Sequence, residues 1–224
     1  MTRHELKEQD EITTWMQTTT EAAYARKKEI LTGISILAVL ALAIIGWRFY
    51  SSSRDANAQT LLSQAINAYN DPNIKSDKDR FTRALAEAQK AHDAYPSLTA
   101  GHIALYYMGL SQDALGDTAK ATESLQQVIN TSEPEVAGVA RFALAGIYRR
   151  HGDTQKAVDL YKQIYEKGGY SKSAAVLELA KISEANNKID EAKTYYQKIV
   201  SEFPESPFRS DADQALKRLG VPAA

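Results

Sequence analysis

Cysteine is absent from the 224-residue chain. Disulfide bridges and thiolate chemistry are therefore excluded. An oxidising compartment is not, because such compartments do not demand disulfides. Proline and glycine are scarce, at 6 and 11 residues, so few positions force a helix to stop. The histidines His4, His92, His102 and His151 are scattered without metal-ligand spacing. There is no HExxH pair, no phosphate-binding P-loop, no GxSxG elbow and no calcium loop. Neither sign of charge dominates. With 27 Lys and Arg against 28 Asp and Glu, the net charge of −1 argues against the basic stripe of a nucleic-acid binder. No constellation supports catalysis, and no cofactor, metal or small-molecule substrate is expected.

What the chain does have is a helix-forming composition, rich in Ala, Leu, Lys, Glu and Gln. Its longest apolar run is ILTGISILAVLALAIIGW, eighteen uncharged residues from Ile30 to Trp47. At about 1.5 Å per residue a helix of that length reaches roughly 27 Å, close to a hydrocarbon core of about 30 Å. Trp47, Phe49 and Tyr50 cluster at one end, where amphipathic rings prefer the membrane–water boundary. Arg48 can snorkel there. A buried core helix, the alternative, rarely needs so many apolar residues in succession. A transmembrane helix is therefore expected over residues 30–50.

Arg26, Lys27 and Lys28 abut the start of this run, whereas only Arg48 and Arg54 follow it before Lys75. The positive-inside rule then places residues 1–29 in the cytoplasm and residues 51–224 outside it. A cleaved signal peptide is the competing reading. Against it stand a long flank with several acids and the lack of a clear small-x-small cleavage site. Ile12, Trp15 and Met16 stand at i, i+3 and i+4. They leave two readings open for the tail: a short amphipathic helix, or a loosely ordered segment. Within the span Thr32, Ser35, Ala38 and Ala41 recur every third residue, which lines no single face and gives no dimerisation signal.

Beyond the run the chain repeats itself. The segments FTRALAEAQKAHDAYP, AKATESLQQVI, QKAVDLYKQIY and DEAKTYYQKIV put Ala84, Ala121, Ala157 and Ala192 in one role. Their spacings are 37, 36 and 35 residues. A period of about 34 residues built from helix–turn–helix units is that of the tetratricopeptide repeat. Four residues after each alanine stand Ala88, Leu125, Tyr161 and Tyr196. Three further on stand Ala91, Val128, Ile164 and Ile199. Met108-Gly109, Leu144-Ala145 and Leu179-Ala180 fill the large–small pair of the first helices. Tyr148 takes the tyrosine position, which Gln112 and Ser183 replace elsewhere. Gly116 and Gly152 suit the left-handed close of a first helix. Pro96 and Pro204 end their helices, and Pro134 falls one residue late.

The expected fold class is all-α: a single N-terminal transmembrane helix followed by a tetratricopeptide-like helical-hairpin solenoid over residues 51–224. Helices are expected over about 54–71 and 77–95, 98–115 and 118–131, 136–151 and 154–167, and 172–186 and 189–202. These give pairs over about 54–96, 98–134, 136–170 and 172–204, with a polar cap over about 207–219. Asp77 and Asp79 read as helix caps. Arg149-Arg150-His151 reads as a cationic end relieving the carbonyl dipole.

Stacked pairs offer a concave face lined by their first helices. In that frame the groove presents Tyr106, Leu110 and Asp113, then Phe142, Gly146 and Arg149, then Leu177, Lys181 and Glu184. Such a mixed apolar and charged strip suits an extended or helical polypeptide better than a small polar metabolite. The alternative is a solvated face without a ligand. The carboxylate-clamp form of the repeat needs Lys, Asn and Arg at set groove positions. Tyr106 and Leu110 take the first two, so capture of an acidic C-terminal peptide is not expected.

The layout is a short acidic tail, a span closing on Gly46-Trp47-Arg48-Phe49-Tyr50, an alanine-rich helix and the repeats. It resembles the YfgM-type ancillary subunits of the SecYEG translocon, and its repeat domain is similar to that of CpoB-type cell-division coordinators. The resemblance implies a bacterial inner-membrane protein with periplasmic repeats. Its implied partners are translocon subunits, a membrane-anchored periplasmic chaperone and secreted clients. An envelope-assembly or cell-division scaffold with other protein partners is the alternative.

Overall fold

A computed structural model describes residues 27–131, 133–168 and 172–221. The expected tail helix around Ile12, Trp15 and Met16 lies outside these residues. Among them every regular element is a helix: α1 (Lys27–Tyr69), α2 (Asp77–Ala94), α3 (Thr99–Ala114), α4 (Thr118–Ile129), α5 (Pro134–Arg150), α6 (Thr154–Lys167), α7 (Lys172–Ala185), α8 (Ile189–Glu202) and α9 (Arg209–Arg218). The all-α expectation is met. Two compact units divide the chain, residues 1–54 and 55–224.

The first helix corrects the sequence reading. Separate helices over 30–50 and from about 54 were expected, yet α1 is one element of 43 residues. Ser51-Ser52-Ser53 does not interrupt it. Serine disfavours a helix interior only mildly, and no Gly or Pro stands between Gly46 and Pro72. In the first unit the apolar side chains of α1 are bare, from Leu31 at 52% exposure to Phe49 at 80%. The helix is long and apolar enough to cross a membrane, and none of its apolar window is buried within the chain. A core helix would show the reverse.

In the second unit the repeat positions form the core. Ala84, Ala121, Ala157 and Ala192 are all completely buried. Leu125, Tyr161 and Tyr196 and then Val128, Ile164 and Ile199 line the same seams. The C-terminal part of α1 joins through Ala58 and Leu62, which pack with Ala91, Ala100 and Ala104. Three further clusters follow along the stack, centred on Leu125 and Leu144, on Tyr161 and Leu179, and on Tyr196 and Leu216.

One turn recurs at the end of four helices, the first helices α3, α5 and α7 and the capping helix α9. Gly116, Gly152 and Gly220 have φ of 87°, 85° and 80°, and Asn187 takes the same role at 57°. After each, the next residue's amide reaches back five positions: Asp117 to the Gln112 carbonyl, Asp153 to Tyr148, Lys188 to Ser183 and Val221 to Leu216, at 2.8 to 2.9 Å. These are Schellman closures, which satisfy carbonyls that a helix end leaves bare. Asparagine tolerates the left-handed region better than most residues, which accounts for Asn187.

Two cap readings change. The α2 cap is Ser76, whose hydroxyl accepts from the Asp79 amide at 3.2 Å. Asp77 lies inside the first turn and pairs with Arg80 at 2.7 Å. Pro134 does not end a helix late. It starts α5, where its missing N–H costs nothing.

The tightest packing is at Gly101, where a Cβ would lie 1.8 Å from the Tyr95 carbonyl oxygen. Backbone cannot yield as a flexible side chain can. Gly101→Ala is therefore expected to lower stability by about 3 kcal/mol or more, an overpacking penalty at the upper end of its usual range. Gly146→Ala is the control, since its Cβ would meet nothing closer than 3.5 Å. Thermal unfolding followed by circular dichroism distinguishes them; equal midpoints would refute the packing argument.

Candidate functional site

The groove positions lie on α3, α5 and α7. Near the C-terminal ends of these helices the structure joins them by charge. Asp113 of α3 accepts a hydrogen bond from the Arg150 guanidinium of α5, and His151 Nε2 stands 3.7 Å from the same carboxylate. Arg149 Nε lies 3.5 Å from Glu178 of α7. Lys181 Nζ reaches Glu178 at 3.1 Å within that helix. Glu184 of α7 accepts from both terminal nitrogens of Arg218 on α9, one of them at 3.1 Å, and from the Tyr196 hydroxyl at 3.0 Å.

The acids are the covered members of these pairs. Asp113, Glu178 and Glu184 expose only 14%, 17% and 23% of their side chains, against 49–60% for Arg149, Arg150 and Arg218. A half-covered carboxylate needs charged donors to offset lost hydration. The groove charges therefore hold neighbouring pairs to one another as well as facing outward.

The apolar positions differ among themselves. Tyr106 meets Tyr107 edge-on at 5.4 Å, Tyr107 meets Tyr69 at 5.3 Å, and Tyr69 meets Phe81 at 5.2 Å. Phe142 meets Tyr161 edge-on at 5.3 Å. Leu110 is half-buried. Leu177 is a correction: at 5% exposure it belongs to the cluster around Tyr196 and Leu216, because α9 closes over it. It forms one wall of a cavity of about 360 Å³ with Lys181, Tyr196, Asp211, Ala215 and Arg218. Gly146 leaves room for the Arg150 side chain, whose Nη1 would sit 3.5 Å from a Cβ there.

Arg150, Glu178 and Arg218 were not among the groove residues read from the sequence. A signal for two of them existed. Arg150 follows Asp113 by 37 residues and Arg218 follows Glu184 by 34, each about one repeat period. Arg149 and Arg150 do end α5, as expected, but their partners are carboxylates of other helices. Among the described residues no group of His, Cys, Asp or Glu could hold a metal ion.

At the other unit's boundary residues, Trp47 and Tyr50 place their rings 6.5 Å apart, and the Arg54 guanidinium lies 5.8 Å from the Tyr50 ring. Trp47, Phe49 and Tyr50 are 71%, 80% and 57% exposed, and Arg48 is exposed as well.

Known proteins extend these observations. A family model described as a tetratricopeptide repeat-like domain matches residues 24–219. A crystal structure of nearly identical TPR-like repeats from Podosopora anserina superposes with a TM-score of 0.56 at 18% identity, covering 73% of this chain and 85% of that one. BtubC (BKLC) from P. vanneervenii gives 0.54 at 16% identity, covering 75% and 81%. At such identities the likeness is one of fold. No curated protein sequence matches this chain.

The Arg218 hydrogen bonds hold the Glu184 carboxyl below its ordinary value of 4.5, with the Tyr196 hydroxyl helping, against partial burial. Burial, and then the bond to Glu184, pushes the Tyr196 phenol up to about 12. A depressed carboxyl stabilises the fold above its unfolded value and loses that contribution as pH falls through the folded value. Glu184→Gln is therefore expected to cost about 1 kcal/mol or less at neutral pH and nothing further in acid. Denaturant melts at pH 7 and below pH 4 check the sign. A substitution whose cost grows in acid would contradict it.

Proposed function

Because this chain belongs to the tetratricopeptide repeat-like domain family, a fold of protein-interaction scaffolds, we propose that it is a membrane-anchored scaffold working outside the cytoplasm at the protein-secretion translocon. The observation that carries this is the pairing of a bare apolar helix with a repeat domain in one chain. A span of this kind tethers. A repeat array of this kind presents a face to other polypeptides. The basic cluster before the span supports a cytoplasmic N-terminus and periplasmic repeats. The resemblance of its Gly46–Tyr50 exit to translocon ancillary subunits supports the choice of partners: translocon subunits, a periplasmic chaperone and emerging secreted chains.

The groove supports polypeptide over metabolite. Tyr106, Phe142, Lys181 and Arg149 offer aromatic edges and long cationic arms along several helices, suited to a ligand that spans repeats. Protein partners are what this fold binds.

Membrane-preserving crosslinking of the full chain, followed by affinity purification, is expected to recover translocon subunits together with a periplasmic chaperone. Enrichment of division or cell-wall proteins in their place would move the assignment to an envelope-assembly scaffold. Protease added to spheroplasts is expected to digest residues 51–224. Their protection would reverse the orientation.

A further inference from the structure

The repeat unit ends in two unlike faces. Between Asp55 and Asp71 the chain runs fifteen residues without a charge. Up to Tyr69 this is the C-terminal part of α1, and seven of those residues are exposed. None of the seven is charged, although 25% of the whole chain is. At the other end α9 exposes Arg209, Asp211, Lys217 and Arg218. The same stack thus meets water with charge at its last helix, so contact with water alone does not account for an uncharged first one.

Asn57, Thr60, Gln64 and Asn67 are all exposed and spaced three, four and three apart, the seam spacing of two helices lying side by side. A two-fold contact sets each seam residue beside its own copy. A charged residue there would meet a like charge. A primary amide carries both donor and acceptor, as a hydroxyl does, so each can bond its twin. Arg83 and Glu87 of α2, which share a cavity with Gln64 and Asn67, are one charge of each sign and add no net repulsion. A head-to-tail contact would instead press this uncharged face onto the charged α9, stripping water from ions without supplying partners.

We propose that the exposed face of α1 from Asn57 to Asn67 is a contact with a second copy of this chain, α1 beside α1 in parallel about a two-fold axis. A bilayer that holds both copies by their apolar helices gives them one orientation and a raised local concentration. The seam is short and polar, so the contact depends on that confinement. The confinement, though not the seam, rests on reading the apolar part of α1 as a membrane span.

The chain has no cysteine, so single-cysteine variants of the full chain report the contact in membranes. A disulfide forms only where Cα atoms come within about 7 Å. On mild oxidation Thr60→Cys and Asn67→Cys are expected to give about ten-fold more covalent dimer than Lys90→Cys and Lys188→Cys, exposed positions elsewhere in the unit. With Asn67→Cys as reporter, Thr60→Glu and Thr60→Lys are each expected to lower the dimer about ten-fold, and mixing the two variants to restore it, with helix content by circular dichroism unchanged. Seam positions that crosslink no better than the controls would overturn the proposal. So would a crosslinked product of another mass, or a mixture that fails to rescue the contact. Alkaline extraction separates the two readings. A chain that stays in the membrane without crosslinking loses only the dimer. One that is extracted loses the span, and its crosslink yield still decides the seam.

Discussion

The repeat unit depends on how closely its helices approach one another. Ala84, Ala121, Ala157 and Ala192 are completely buried, and at Ala121 the neighbouring helix comes so near that a Cβ on Gly109 would lie 3.3 Å from the Ala121 carbonyl oxygen. Gly109 shows how little room is left: a Cβ there would lie 2.8 Å from Leu125. Helices separated by small residues pack at about 8–10 Å, and the large residues beside the contact then fill the spaces above and below it. Leu125, Tyr161 and Tyr196 occupy those spaces. The core continues from pair to pair as successive clusters of buried residues.

Close approach has a second consequence. When first helices of successive pairs lie in similar register, their C-terminal ends come side by side. The repeated left-handed turn at Gly116, Gly152 and Asn187 ends three of them in the same way, and Gly220 ends the capping helix α9 likewise. Charges one period apart then meet, as Asp113 with Arg150 and Glu184 with Arg218. Because the acids are largely covered and the cations extend outward, the ion pairs brace the stack while leaving a cationic rim. Large apolar side chains exposed among the described residues belong to α1 between Leu31 and Tyr50, apart from Ile189. The repeat surface therefore offers aromatic edges and charge in place of a greasy groove, which suits reversible contact with polypeptides more than permanent burial.

Most of the fold was legible in the sequence. Alanine at a fixed period, a large residue four positions on and glycine at the turns are each local requirements, and they repeat. Local rules also misled. Asp77 and Asp79 looked like caps, but Ser76 one residue earlier has the extended backbone from which a hydroxyl can reach the Asp79 amide. Pro134 looked like a late stop and proved to be a start. The break after Tyr50 failed because three serines are too weak a signal to end a helix that both flanks favour. The candidate groove was less legible. Leu177 has the spacing of a groove residue, yet α9 covers it.

The sequence by itself determined the helices beyond α1, their period, the left-handed ends at Gly116 and Gly152 and an apolar stretch long enough to span a bilayer. These follow from backbone preference and hydrophobic spacing, which act within a few residues. Only the tertiary structure decided which side chains of one pair touch the next: Arg150 on Asp113, Arg149 on Glu178 and Arg218 on Glu184. Those contacts depend on the rotation and offset between helices some thirty residues apart, set by the packing of every small and large residue along the seam.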